Sequence, residues 1–431
     1  MNKIAAFFLS IITIITSTLG ISPKRPIVPQ EQAESFNPVI RFFVCSDTHI
    51  ESATDFKLDR IKKAIEFSYN TAQNDESYKN LDAVVFCGDV TNSGTDEQFK
   101  AFGNAVKSSV KGNTQILALV AKSHDSSENG KKSTEYCTEI TGRDSDFNAV
   151  INGFHFIGMS TAKAENVNHN LKQKTWLNKQ LRAAKKEDAE KPIFVFHHEH
   201  VLGTVYGSSA FDGWGNFAFR SVVMRYPQVV DFSGHSHYPL NDPRSIWQGA
   251  FTAVGTGSMN YMEFTVDKDR TVHPEGCGNA AQAWIVEVDS DYRIRLRGFD
   301  VITGNWLCDY LIKNPTDTRS YAYTPYNQKA LSSAPEFDED STLTCTESDG
   351  KYTVTAPTAK STDGKIVFLY RVKVMNKSGI VVHNEYKLNN YWTTELYQNI
   401  SFTVDAKAGY TISVTAENAY KMKSEPLSIK I

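Results

Sequence analysis

The chain has 431 residues, 41% of them hydrophobic and 22% charged, with a formal charge of −3. That length suggests two or three domains with ample material for a packed core, and the composition excludes wholesale disorder. The near-neutral charge gives no electrostatic reason to expect a nucleic-acid binder, and six cysteines are too few to staple so long a chain.

In chain order, Met1-Asn2-Lys3 is a short basic start. An apolar run follows from Ile4 to Ile15, then small residues from Thr16 to Gly20. This reads as a secretory signal peptide over residues 1–21. The competing reading is a membrane anchor, but five Ser and Thr residues dilute the stretch between Ile4 and Ile21. The expectation is an exported protein, secreted or at the cell surface, with no transmembrane helix after signal removal. Residues 22–38 contain Pro and Gln without periodicity and read as a linker.

From 39 to 313 short apolar runs alternate with helical patterns. The runs are Ile40–Cys45, Ala83–Cys87, Gln115–Ala121, Phe154–Met159, Ile193–Phe196, Val229–Phe232 and Ala250–Val254. Leu58, Ile61, Ile65 and Tyr69 recur at helical spacing after the first run. Thr95 and Gln98 form a capping box ahead of Phe99, Phe102 and Val106. Trp176, Leu177, Leu181 and Ala184 mark a third helix, which Pro192 closes. Alternating strands and helices predict an α/β layered domain, first of all an open sheet. Cys45 and Cys87 sit in apolar runs and read as core residues, while Cys137, Cys277, Cys308 and Cys345 are candidates for pairing.

Residues 314–335 are rich in Thr, Tyr, Asn, Ser and Pro and read as a connecting linker. Beyond them the pattern has period two, in Phe368, Tyr370, Val372 and Val374, in Ile400, Phe402 and Val404, and in Tyr410, Ile412, Val414 and Ala416. This predicts a small all-β sandwich over 336–431. Gly409 to Asn418 resembles the penultimate strand of fibronectin type III modules. Tyr391 and Trp392 are candidates for carbohydrate or cell-surface contact, or for packing.

Five of the strand-like runs end in residues able to bind metal. Phe42–Cys45 leads to Asp47 and His49, and Val84–Cys87 leads to Asp89. Leu117–Val120 leads to Lys122, Ser123, His124 and Asp125. Ile193–Phe196 leads to His197, His198, Glu199 and His200, and Val229–Phe232 leads to His235 and His237. Ligands of open α/β sheets gather beyond the carboxyl ends of strands, so the pattern collects these residues at one rim. Imidazole and carboxylate donors suit Zn, Mn or Fe, and Asp47, His49, Asp89, His197, His235 and His237 supply six ligands for two ions.

The ordered set of Asp-x-His, Gly-Asp, a Gly-Asn-His-Asp-like segment, His and Gly-His-x-His resembles the calcineurin-like metallophosphoesterase superfamily over about residues 40–300. The resemblance implies two mixed β-sheets packed as a sandwich and flanked by helices, with the metals on loops at one edge. It implies a phosphoesterase acting on monoesters or diesters, through a hydroxide generated at a dinuclear centre. Asp47, His49 and His237 would hold one ion, His197 and His235 the other, and Asp89 both, with His198 the less favoured choice beside His197. His124 would contact substrate, oriented by Asp125. One departure stands out, because Lys122 and Ser123 replace the Gly-Asn of that segment and the missing Asn is a ligand of the second ion. Three outcomes stay open: a filled second site, a single ion with Lys122 helping to hold phosphate, or a scaffold that binds ligand without turnover. Asn92 occupies the spacing at which purple acid phosphatases carry a Tyr ligand, and also suits an ordinary turn. Glu199 and His200 are expected at the substrate or in solvent. The aromatics Tyr206, Phe211, Trp214, Phe217 and Phe219 are expected as a pocket wall or as packing.

Overall fold

The computed structural model describes residues 36–126, 130–161, 169–209 and 216–431. The signal-peptide reading over 1–21, and all of the first linker before residue 36, lie outside them.

Two mixed six-stranded sheets pack face to face. The first half of the chain runs β1 (Pro38–Cys45), α1 (Lys57–Gln73), β2 (Ala83–Cys87), α2 (Asp96–Ser109), β3 (Gln115–Leu119) and α3 (Lys131–Thr141). It continues through β4 (Asp146–Ile151), β5 (Phe154–Met159), α4 (Leu171–Glu187), β6 (Ile193–Phe196), α5 (Phe217–Val223) and β7 (Val229–Ser233). Then come β8 (Ile246–Gln248), β9 (Thr252–Gly255), a hairpin of β10 (Phe264–Val266) and β11 (Asp269–Val272), and β12 (Gln282–Asp289), β13 (Ile294–Asp300) and β14 (Asn305–Ile312). One sheet has the order β14-β13-β12-β1-β2-β3 and the other β4-β5-β6-β7-β9-β8. The single open sheet first expected is therefore replaced by the double-sheet sandwich that the family resemblance implies.

Strand alternation builds the inter-sheet core. Phe42 of β1 meets Phe156 and Phe194 edge-on at 4.9 and 4.8 Å between ring centroids, and Phe196 stacks on Phe232 at 5.5 Å. Each such ring contributes roughly 1.5–3 kcal/mol through burial. The outer face of one sheet is covered by Ile61, Ile65, Phe99, Phe102 and Ile140 from α1 to α3. The other is covered by Leu177, Leu181, Phe219 and Val223 from α4 and α5. The Thr95–Gln98 capping box forms as read from sequence. The hairpin between β4 and β5 turns on Asn152 and Gly153, both left-handed at φ 50° and 79°, as an Asn-Gly turn requires. All six cysteines are free thiols, so the candidate pairings among Cys137, Cys277, Cys308 and Cys345 do not form.

The stretch 314–335 is not a loose connector. It carries α6 (Pro325–Ala330) with Pro at the helix start and a Thr324 cap, and Tyr321 is buried with its hydroxyl on Pro227 O and Pro315 O. The all-β part follows as two antiparallel sheets. One joins β15 (Thr344–Ser348), β16 (Lys351–Pro357) and β19 (Asn399–Val404), and the other joins β17 (Val367–Met375), β18 (Val381–Leu388), β20 (Thr411–Asn418) and β21 (Leu427–Lys430). Among the described residues no helix is long and apolar enough to cross a membrane.

Tyr391 and Trp392 are not exposed, being only 3% and 1% accessible, which removes them as carbohydrate contacts. They plug the sandwich into the first part of the chain. Trp392 packs 4.7 Å from Phe264 of β10, and its carbonyl accepts from Gln282 Nε2 at 2.8 Å. Tyr391 donates its hydroxyl to Asp242 at 3.0 Å. Emptying the Trp392 site creates a cavity between two elements that cannot both close onto it. Trp392→Ala is therefore expected to cost about 3–5 kcal/mol, read as a lower urea midpoint.

Candidate metal centre

The parallel strands β1, β2, β6 and β7 deliver their carboxyl ends to one edge of the sandwich. There the chain takes an unusual course. Eleven described non-glycine residues have positive φ, and five of them are Asp47, His49, Asp89, His235 and His237. A left-handed backbone costs an L-residue free energy, and its concentration at candidate ligands marks a place where donor direction outweighs local comfort. Gly88 has φ +91°, and a Cβ there would lie 2.8 Å from His198 Nδ1, so the approach of β2 to the His198 loop needs glycine.

Three overlapping groups of ligand atoms result among the described residues: Asp47, His49 and His237; Asp89, His198 and His235; and, joining these two, His49, Asp89 and His124 at the exposed side. In the first, His237 Nε2 lies 3.1 Å from Asp47 Oδ1 and 3.2 Å from His49 Nε2. In the second, His198 Nε2 lies 3.0 Å from Asp89 Oδ2. The groups abut, with Asp89 Oδ2 4.0 Å from His49 Nε2 and Asp47 Oδ1 3.8 Å from His198 Nε2. Buried Asp47 Oδ1 and His198 Nε2 make no hydrogen bond. Donor atoms converging at such range without hydrogen bonds fit a cation between them, and imidazole with carboxylate is the donor set of a divalent transition metal. Burial alone would raise the Asp47 carboxyl, but the imidazoles of His237 and His198 hold it well below the usual range. Burial, then the neighbouring His198, lowers His235 to about 4, which keeps its lone pair available.

Neighbours aim these ligands. His198 donates Nδ1–H to Cys87 O at 2.8 Å, which leaves Nε2 as the free donor atom. Asp47 Oδ2 accepts from His235 N at 3.1 Å and from the Ser46 hydroxyl.

His197, favoured from sequence for the second ion, points elsewhere. Its ring stacks on Phe219 at 4.2 Å, and its Nε2 lies 2.8 Å from Asp231 Oδ1 in the helix-covered face of the sheet. His198 takes the expected place. Asp125 does not orient His124. It is fully buried and accepts from the backbone N–H of Val90, Thr91 and Ala121 and from the Thr91 hydroxyl. Burial, and then the charge of Asp89, pushes its carboxyl up to about 7, and its hydrogen bonds tie the Val90–Thr91 loop to its own loop at Ala121. The ring of His124 is held by Asn92 instead, through Nδ1–H to the Asn92 carbonyl at 2.9 Å. Asn92 thus serves through its backbone carbonyl. His124 stands exposed at the mouth, its ring 4.5 Å from that of His49.

Ser123 donates its hydroxyl to Asp89 Oδ1 at 2.6 Å, and Lys122 donates its backbone N–H to Thr161 Oγ1. Glu199 and His200 reach neither substrate space nor solvent. Glu199 accepts from Thr161 Oγ1, and His200 bridges Ser233 and Ser236 at 2.8 and 2.7 Å. Of the aromatic stretch, Tyr206 is sandwiched between Tyr238 and Arg244, and Phe219 is buried under His197. Phe211, Trp214 and the side chain of Phe217 lie outside the described residues. The wall of the mouth comes from elsewhere. Tyr261 packs 4.4 Å from His237 and 5.3 Å from His273, whose Nε2–H is on Glu263 at 2.8 Å. Tyr261 lies just past the carboxyl end of β9, so extending the strand-exit rule by one strand would have found it.

Residues 40–239 match the family model described as calcineurin-like phosphoesterase. These residues are a calcineurin-like phosphoesterase domain. They carry all three ligand groups that could hold metal, and the family to which the domain belongs hydrolyses phosphoesters, typically with divalent metals. A curated relative is the "probable glycerophosphodiester phosphodiesterase GpdQ" of Arcobacter nitrofigilis, 28% identical over 232 residues, which are 52% of this chain and 80% of that protein. Among solved structures, GAP50, the anchor in the inner membrane complex of Plasmodium, aligns with TM-score 0.44 at 12% identity over 66% of this chain and 95% of that one. The purple acid phosphatase PPD1 of yellow lupin aligns with TM-score 0.43 at 13% identity over 63% and 53%.

Proposed function

We propose that this protein is an exported hydrolase of small phosphodiesters that works with two divalent ions. One is held by Asp47, His49 and His237 and the other by Asp89, His198 and His235, with Asp89 shared. The observation that carries the reading is the abutment of two donor groups in which buried Asp47 Oδ1 and His198 Nε2 make no hydrogen bond. When bound, such ions supply Lewis acidity toward a phosphoryl oxygen and a nucleophile at neutral pH. His124, its Nδ1–H fixed on Asn92, presents Nε2 at the mouth to steady phosphoryl charge or protonate the leaving oxygen. Diesters are favoured over monoesters by the name of the curated relative. Mn, Zn and Fe all suit the donors, and supply in the compartment selects among them. Export rests on the signal-like residues 1–21, and the C-terminal sandwich is taken as fibronectin type III-like.

The test is metal content after loading with Mn or Zn and desalting, together with hydrolysis of bis(p-nitrophenyl) phosphate. Two ions per chain with metal-dependent turnover support the reading, and metal-free protein with no turnover sinks it. The hydrogen bond from Ser123 to Asp89 favours a second reading, in which the second ion is held weakly. Ser123→Asn restores an amide oxygen at that position and frees Asp89 Oδ1. It is expected to tighten the second ion about tenfold, read by metal titration.

A further inference from the structure

The hairpin of β10 and β11 has one end at the metal centre and the other in the C-terminal sandwich. At its base, Tyr261 precedes β10 and His273 follows β11. Glu263 joins the two, accepting from His273 Nε2 at 2.8 Å while its own N–H donates to the His237 carbonyl at 3.1 Å. The sandwich grips the rest. Asp267 at the tip pairs with Arg371 and with Lys421, Asp269 accepts from the Tyr386 hydroxyl at 2.7 Å, and Trp392 packs on Phe264. Side chains held from both ends in this way are fixed before any ligand arrives, as a specificity site requires.

Tyr261 is in ring contact with His237, and His273 is one ring further out with its side chain 46% exposed. A phosphoryl group seated at the ligand cluster meets His237 first, with Tyr261 in ring contact with both His237 and His273. What reaches His273 is the alcohol esterified to phosphorus. Because Nε2 carries its proton toward the Glu263 carboxylate, Nδ1 is the acceptor left for a second partner. An acceptor at that place selects a hydrogen-bond donor on the alcohol.

We propose that His273, fixed by Glu263 and flanked by Tyr261, is a specificity-determining residue that accepts a hydrogen bond from a hydroxyl of a polyol phosphoester. The assignment rests on the metallophosphoesterase reading above and adds the alcohol side of the substrate to it.

The test uses the full-length, metal-loaded protein and two ligands that cannot be hydrolysed, the phosphonate isostere of glycerol phosphate and butylphosphonate. Their affinities are measured by calorimetry. Wild type is expected to prefer the hydroxylated ligand about tenfold, and His273→Ala to lose that preference while metal content and butylphosphonate affinity hold. His273→Gln, which keeps an acceptor, is expected to retain part of it. Circular dichroism and metal content show that each variant is folded and loaded. An equal preference in wild type and His273→Ala overturns the assignment, as does no preference in wild type. Failure of wild type to bind metal overturns the metal-centre reading itself, an outcome told apart by metal content, and metal-loaded wild type that binds neither phosphonate overturns the assignment of His273.

Discussion

Asp89→Asn should give a folded protein with at most about one-hundredth of the wild-type turnover and with metal content reduced from two ions toward one. Loss of an outer-shell partner already costs about 10–100-fold in metal affinity or activity, and a shared ligand stands at or beyond the upper end of that range. The local geometry makes the substitution clean. Asp89 sits in the left-handed region at φ 48°, where Asn is among the most tolerant of residues, so the backbone need not move. The electrostatics do change. Oδ1 accepts from Ser123 Oγ and from His124 N at 3.3 Å, so the Asn oxygen is drawn to that side. The amide nitrogen then faces His198 Nε2, the atom 3.0 Å from Oδ2, and a donor there occupies the lone pair meant for the metal. The check is metal content, bis(p-nitrophenyl) phosphate hydrolysis and circular dichroism on one preparation. Turnover equal to wild type would remove Asp89 from the centre.

Which donors gather at the rim was legible in the sequence because parallel strands end on one edge, whatever the detail of the sheets. Asp47, His49, Asp89, His235 and His237 follow from that rule, and the structure brings them together. The choice between His197 and His198 was also written in the sequence, in strand alternation. Phe194 and Phe196 face the inter-sheet core, and Ile193 and Val195 face the helices. Continuing the alternation past β6 sends His197 to the helix side, toward Phe219, and His198 to the side where Asp89 lies. The same reasoning in β7 places Asp231 opposite Val230 and Phe232, where it meets His197. Other features were not legible. That Asp125 braces Val90, Thr91 and Ala121 and leaves His124 to Asn92 depends on loop conformations with no periodicity. The burial of Tyr391 and Trp392 depends on how two parts of the chain dock, which no local pattern encodes. The order of the connector at 314–335 is not legible because it comes from Tyr323 and Gln328, whose side chains bond strand backbone at Leu311 and Ile246, contacts that composition alone does not reveal.

The alternation argument separates two adjacent histidines by opposite outcomes. His198→Ala should empty the second site and remove most turnover, and because its buried ring lies 3.0 Å from Asp89 Oδ2 it also costs stability. His197→Ala should cost stability while leaving the metal site filled. His197 and Asp231 are both fully buried, and their closest atoms are 2.8 Å apart, although off the line of a straight hydrogen bond. Removing the imidazole strands a carboxylate among Val195, Phe219 and Ala253, a change that costs about 3–5 kcal/mol when a buried pair loses one member. The protein that remains folded should bind metal and turn over substrate normally. Pairing His197→Leu with Asp231→Val removes both groups together and should recover most of the loss, since an apolar replacement of a buried pair is often neutral or better. Urea midpoints measure the stability arm and metal content the catalytic arm. If His197→Ala instead emptied the second site with its urea midpoint unchanged, the ligand would be His197, and the alternation that places His198 beside Asp89 would have to break at the end of β6.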